Sequence, residues 1–529
     1  MKTIPVALIT LLTIFACPPY SAAAAAVKSS VAASDHAEGG IAWYQGEVDA
    51  AFAQARKSNK PVFLYWGAEW CPPCNQVKAT IFNRQGFIER SRFFVPVHID
   101  GDSPSGQKLG ARFKVRGYPT MILFRPDGIE ITRLPGEVDS ERYLQVLTLG
   151  MSAGHSAKDT LKAALAGTGT LSADDWRLLS FYSWDTDEQE LVTSKDLPST
   201  LLRLAKACPP GDSATRISLS ALTAAATAKP ADVPAIDKAA ALKQTIKLLA
   251  DTRVARDNMD LLTNYAAELV GFISAPKSRA RLRLTAAWTT ALQRLARDMS
   301  LSRTDRLAAL DAQVSLARLD TPQGSPAAPI DAALLKQVRQ RVAQADRETT
   351  DIYERQSVIS TAAHALSDAG LLDESDAMLK AELTRSHSPY YFMLSLAANA
   401  KQRGDKALAL DWYEQAYNAA KGPATRLQWG ATYVGGLIEL APQDEARIEK
   451  AMHGLLLEFG ATQNAFYERN GAALERLVRK LGAWNNAGHG HESAFKRISA
   501  ELDGICAKLP SDDPQRAICR KVLSAVRSS

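Results

Sequence analysis

The chain has 529 residues, 46% hydrophobic and 23% charged, and its 63 basic and 57 acidic side chains leave a net charge of +6. That length is enough for several cores. The two charge signs are interspersed and no aromatic–basic stripe accompanies them, which argues against a nucleic-acid surface.

Residues 1–26 read as a secretory signal: Lys2 supplies the positive start, 4–16 a mostly apolar run, and 21–26 small residues for cleavage. The run is short for a bilayer span, so an exported, soluble chain is expected, beginning with a flexible linker over 27–39. Lipoprotein processing at Cys17 is the alternative and the one route to a membrane. Export permits stable disulfides.

An amphipathic helix is expected over Ala50–Arg56, then a strand over Val62–Trp66 leading into Trp70-Cys71-Pro72-Pro73-Cys74. Two cysteines separated by two residues, after a strand and at the start of a helix, form a dithiol that can open and close. Cysteine attacks as its thiolate, which a helix N-terminus favours. Cys71 is expected to be exposed and to attack; Cys74, one turn inside, is expected to resolve. A CxxC is also half of a zinc site, but Cys208, Cys506 and Cys519 supply no second C-x₂-C pair. A second strand is expected over Phe93–Asp100, a helix over Gln107–Phe113, and a hairpin of Met121–Phe124 with Glu130–Arg133. A last helix covers Ser140–Leu149.

This β-α-β-α-β-β-α order over residues 40–154, with the CxxC and the segment Gly117-Tyr118-Pro119-Thr120, resembles a thioredoxin domain. The lead-in around Lys60-Pro61 and Glu69-Trp70-Cys71 is similar to the soluble domains of periplasmic thiol:disulfide interchange proteins. The resemblance implies a cis proline at Pro119 beside the dithiol, presenting backbone to an extended substrate. Trp70 and Tyr118 flank it as further substrate-positioning residues, and Gly136 fits the family's close-packed glycine. It also implies an oxidoreductase that needs no cofactor, acts on protein disulfides and exchanges electrons with a redox partner protein.

Three positions depart from the family. Tyr65 stands where many members keep a buried acid, Lys78 where related interchange proteins carry a second one, and Pro96 where a lysine often pairs with the first. The usual proton relay for Cys74 is therefore missing, with Glu69 the nearest carboxylate in sequence. Neither Pro72 nor Pro73 has an N–H to offer a Cys71 thiolate. Reduced-state stabilisation is what separates oxidants near about −120 mV from reductants near about −270 mV, a gap worth roughly 7 kcal/mol. The expectation is a reductase or isomerase.

Beyond the dithiol domain the composition turns to Ala, Leu, Arg, Asp and Glu, and a helical region is expected over 155–325. Breaks fall at Lys229–Pro234 and Pro322–Pro329. Gly370 and Gly404 stand 34 residues apart, as do Pro389 and Pro423, with similar helical segments between. That is the tetratricopeptide period, and 326–529 is read as an α-solenoid of such repeats, an irregular helical bundle being the alternative. A concave solenoid face would recruit a substrate or partner. Cys506 and Cys519 flank a turn between two terminal helices and are expected to form a structural disulfide, contributing about 3 kcal/mol in the chain-entropy model. Cys208 reads as a buried thiol or a second relay site. Gly488-His489-Gly490-His491 reads as a solvent-exposed loop or a metal ligand pair, and no metal is expected. The competing class for the whole chain is a helical-repeat adaptor or chaperone whose thioredoxin-like part serves in binding.

Overall fold

The computed structural model describes residues 40–321, 330–486 and 491–527. The expectations for 1–39, Cys17, Pro322–Pro329 and His489 lie outside these residues.

The first helix, α1 (Val48–Ser58), buries Val48, Ala51, Phe52 and Ala55, a spacing that keeps one helical face apolar. Strand β1 (Val62–Gly67) is buried along its whole length. Its neighbours explain why: the sheet order is β2 (Val95–Asp100), β1, β3 (Thr120–Phe124), β4 (Glu130–Leu134), so β1 is interior and helices cover both faces. Alternate residues divide between two cores. Val62, Leu64 and Trp66 pack towards α1 and the helix Pro104–Phe113, while Phe63 and Tyr65 pack towards the helices Pro72–Val77, Gln85–Ser91 and Ser140–Met151.

Helix α2 (Pro72–Val77) continues as one π-helical turn over Lys78–Phe82. The short α3 (Gln85–Ser91), not anticipated from the sequence, then leads into β2 (Val95–Asp100). Strand β2 lies parallel to β1, in register Val62 with Val95. Helix α4 (Pro104–Phe113) is followed by β3 (Thr120–Phe124), antiparallel to β1, then β4 (Glu130–Leu134) and α5 (Ser140–Met151). This is the expected α/β thioredoxin-like order near the N-terminus, followed by a large region that is helical throughout its described residues.

Five helices of that region bear on the dithiol: α6 (Arg303–Arg318), α7 (Ile352–Asp368), α8 (Pro389–Gln402), α9 (Pro423–Leu440) and α10 (Glu468–Asn486). The glycines spaced by 34 residues do equivalent jobs. Gly370 (φ 79°) turns α7 into the helix Leu372–Glu382, and Gly404 (φ 80°) turns α8 into the helix Lys406–Ala419. Both sit in the left-handed region that glycine tolerates. Cys506 and Cys519 are disulfide-bonded between the last two helices, with Cα atoms 5.6 Å apart and both residues buried.

At Gly404 a Cβ would meet nothing within 4 Å. Gly404→Ala is therefore expected to destabilise the chain through backbone conformation alone, by about 1–2 kcal/mol, read as a lower denaturant midpoint with unchanged slope.

Candidate active site

The dithiol sits where a parallel strand hands over to a helix. Cys71 is the N-cap of α2, in extended conformation, and Pro72 and Pro73 fill the first helical turn. Proline suits those positions because its missing N–H would be unpaired there anyway. The first N–H that α2 can offer is that of Cys74, which donates to Cys71 Sγ at 3.2 Å. The two cysteines are disulfide-bonded, with Cα atoms 5.2 Å apart. The Tyr118–Pro119 bond is cis. Cys71 Sγ lies 3.6 Å from the Tyr118 carbonyl oxygen, so a reduced thiol there could donate to it. A Cβ on Gly136 would meet Pro119 Cγ at 3.2 Å, which accounts for glycine at that position.

The surroundings differ from the expected exposed attacker: Cys71 is 2% exposed and Cys74 is fully buried. Both belong to an apolar cluster built largely from α9, α10 and the helices after them. Trp70, directly before Cys71, explains how. Its ring stacks on Tyr391 of α8 (centroids 5.8 Å, interplanar 17°) and meets Trp429 of α9 edge-on at 4.9 Å. The Arg469 guanidinium of α10 lies over both Trp70 (5.5 Å) and Tyr118 (4.8 Å). The backbone is held as well. Gln356 of α7 donates to the Trp70 carbonyl at 3.2 Å, and His387 Nε2 donates to the Glu69 carbonyl at 3.0 Å. On the far side of α2, Gln76 donates to Asp305 of α6 at 2.6 Å.

Asn75 and Asp102, beside the dithiol, also escaped the sequence reading. Asn75 is buried and donates to the carbonyls of Glu69 (2.8 Å) and Cys71 (2.9 Å), bracing the turn. Asp102, in the loop after β2, accepts the Trp70 indole N–H at 2.8 Å. Its backbone carbonyl accepts from Ala424 N at the start of α9. Burial pushes the Asp102 carboxyl up to about 7, with the Asp100 charge adding to it and the Thr425 hydroxyl, the Trp70 N–H and Arg469 opposing. The position had one sequence signal: an acid just past the carboxyl end of a parallel strand, where α/β sheets place functional groups. Nothing in the sequence marks Gln356, Tyr391, Trp429 or Arg469.

The remaining candidates lie elsewhere. Cys208 is a buried thiol in a separate apolar cluster, pushed up to about 11 by burial. His491 is not solvent-exposed. It is buried, stacked on Trp484 at 3.9 Å, with Nδ1 2.7 Å from a Glu445 carboxylate oxygen.

Because the folded chain holds the Asp102 proton more tightly than an unfolded one, this group's contribution to stability is full below about pH 4 and is lost as pH rises through about 7. Asp102→Asn keeps an acceptor for Trp70 and removes the titration. Its denaturant midpoint relative to the parent chain is expected to rise between pH 5 and pH 8.

Residues 48–150 match the family described as thioredoxin-like domain. The thiol:disulfide interchange protein DsbD of Pseudomonas fluorescens is 33% identical over 103 residues, which are 19% of this chain and 18% of that protein. The chain thus spans under a fifth of that relative's length. The thioredoxin of Mycobacterium bovis is 32% identical over 101 residues, 19% of this chain and 83% of that protein. The thioredoxin of Pseudomonas aeruginosa is 30% identical over 87 residues and is covered to 77%. With the CxxC pair at disulfide distance and this homology to interchange proteins, the chain belongs, through residues 48–150, to the thioredoxin-like family.

Proposed function

We propose that the chain is an exported thiol:disulfide oxidoreductase, a reductase or isomerase acting on protein disulfides. The observation that carries this is the Cys71–Cys74 pair at the N-terminus of α2 with cis Pro119 beside it. In the reducing direction the Cys71 thiolate attacks one sulfur of a substrate disulfide. A mixed disulfide forms and the substrate's other sulfur leaves as a thiolate. Cys74, deprotonated in turn, attacks Cys71 Sγ and releases the second substrate thiolate. Two electrons have passed to the substrate, and a partner dithiol must restore the pair. Pro119, with Trp70 and Tyr118, positions the substrate backbone, and the Cys506–Cys519 bond is structural.

Export rests on the signal-like residues 1–26 and on the likeness to interchange proteins. Among the described residues no helix is long and apolar enough to cross a membrane. The domain reading follows: a linker over 27–39, the redox domain over 40–154, helices over 155–325, and tetratricopeptide-like repeats over 326–529. The helical region is assigned the recruitment of substrate or partner. The burial of both cysteines within the helical cluster favours a second reading, an adaptor or chaperone in which the thioredoxin-like part serves in binding.

One measurement fixes the direction of exchange and a second separates the two readings. Equilibration with glutathione, then with a stronger dithiol buffer, should place the Cys71–Cys74 couple near or below about −220 mV. A value near about −120 mV would identify an oxidant instead. Cys74→Ser should accumulate mixed disulfides with client proteins through Cys71 and Cys71→Ser should not; no trapped species in Cys74→Ser, together with unchanged holdase activity in Cys71→Ser, would favour the adaptor.

A further inference from the structure

The groove in which a thioredoxin-like domain would receive an extended substrate is already occupied. Trp70 is enclosed by Tyr391, Trp429 and Arg469. The backbone leading into Pro119 is engaged too: Arg469 Nη1 donates to the Arg116 carbonyl at 2.9 Å, and Arg116 Nε donates to Glu468 at 2.8 Å. Arg469 is steadied from its own side by Nε donating to Gln428 at 3.0 Å. One guanidinium therefore spans the Trp70 ring, the Tyr118 ring and the backbone leading into Pro119. A polypeptide cannot reach Cys71 with these groups in place.

We infer that helices α8–α10 form the second wall of the redox site and hold it shut, with Arg469 the residue that decides whether a protein substrate reaches Cys71. The inference rests on the reading of Cys71 as the attacking thiol. It changes what recruitment means: a client engaging the helical region must displace Arg469 and Trp429 from Trp70 before exchange can begin. Specificity would then lie in the helices, since only a client that opens this wall meets the dithiol. Arg469 acts through access and touches no reacting atom, so it is a positioning residue rather than a catalytic one.

The contacts differ in how safely they can be removed. Trp429 is buried and its indole N–H donates to the Tyr390 carbonyl at 3.2 Å, so Trp429→Ala endangers the fold. Arg469 is half-buried at the rim, and Arg469→Ala leaves the apolar cluster intact.

The test uses the reduced full-length chain and the rate at which iodoacetamide alkylates Cys71, located by peptide mass. In the parent chain alkylation is expected to be about a hundredfold slower than in urea, because it waits on opening. Arg469→Ala should speed it about tenfold or more while far-ultraviolet circular dichroism is unchanged. Arg469→Lys, which keeps the charge but loses the paired donors, should fall between. The same order should appear in reduction of insulin, and not in equilibration with dithiothreitol, which is small enough to need less opening. A parent rate close to that in urea, or an Arg469→Ala rate equal to the parent's, would overturn the closed wall. Faster alkylation without any insulin reduction would leave the wall standing and remove the oxidoreductase reading instead.

Discussion

The enclosure of Trp70 is the contact on which the arrangement of this protein depends. Its indole belongs to the loop that carries the dithiol, yet its ring partners, Tyr391 and Trp429, come from helices more than 300 residues later. The N–H at its edge is taken by Asp102, which is itself fixed to the start of α9. Aromatic pairs of this kind contribute about 0.5–1.5 kcal/mol each beyond their area, and a guanidinium over a desolvated ring adds about 2 kcal/mol. No single term is large. Together they join two regions through one side chain, and that side chain is adjacent to Cys71.

The chemistry of the pair is shaped by what the chain leaves out. With Pro72 and Pro73 in the first turn, the N–H of Cys74 is the first that α2 can direct at Cys71 Sγ. Pro72 and Pro73 withhold a donor from Cys71, and the next residue, Cys74, supplies one. The buried acid common in the family is replaced by Tyr65, whose ring stacks on His98 at 4.9 Å. Carboxylates are present nearby, but Asp102 faces the indole of Trp70 and Glu69 contributes only its backbone carbonyl to the contacts described.

The thioredoxin-like elements were legible because their signals are local. Unbroken apolar runs mark β1 and β3, apolar residues in alternation mark β2, Pro-Pro after a cysteine marks the start of α2, and Gly-Tyr-Pro-Thr marks the turn beside it. Helix α3 was missed because Gln85–Ser91 buries only Phe87 and Ser91, too few positions to show a helical period. The burial of Cys71 was not legible at all. Its cover is made by residues such as Gln356 and Arg469, each ordinary on its own helix and meaningful only once the chain has folded back. His491 illustrates the same limit: a glycine-flanked histidine reads as loop, yet Trp484 and Glu445 provide it with a ring to stack on and a carboxylate to bond.

Closure of the wall has an electrostatic side as well as a steric one. Thiol–disulfide exchange moves negative charge along three sulfurs in line, and charge is costly where water is excluded. The closed site buries both cysteines against apolar side chains, so it suits the resting disulfide, which carries no charge. Lifting α8–α10 from Trp70 would admit water along with the substrate, and the same movement that exposes Cys71 would then ease the charge its attack requires. Access and reactivity are coupled in such an arrangement, because one set of contacts, centred on Trp70 and Arg469, governs both.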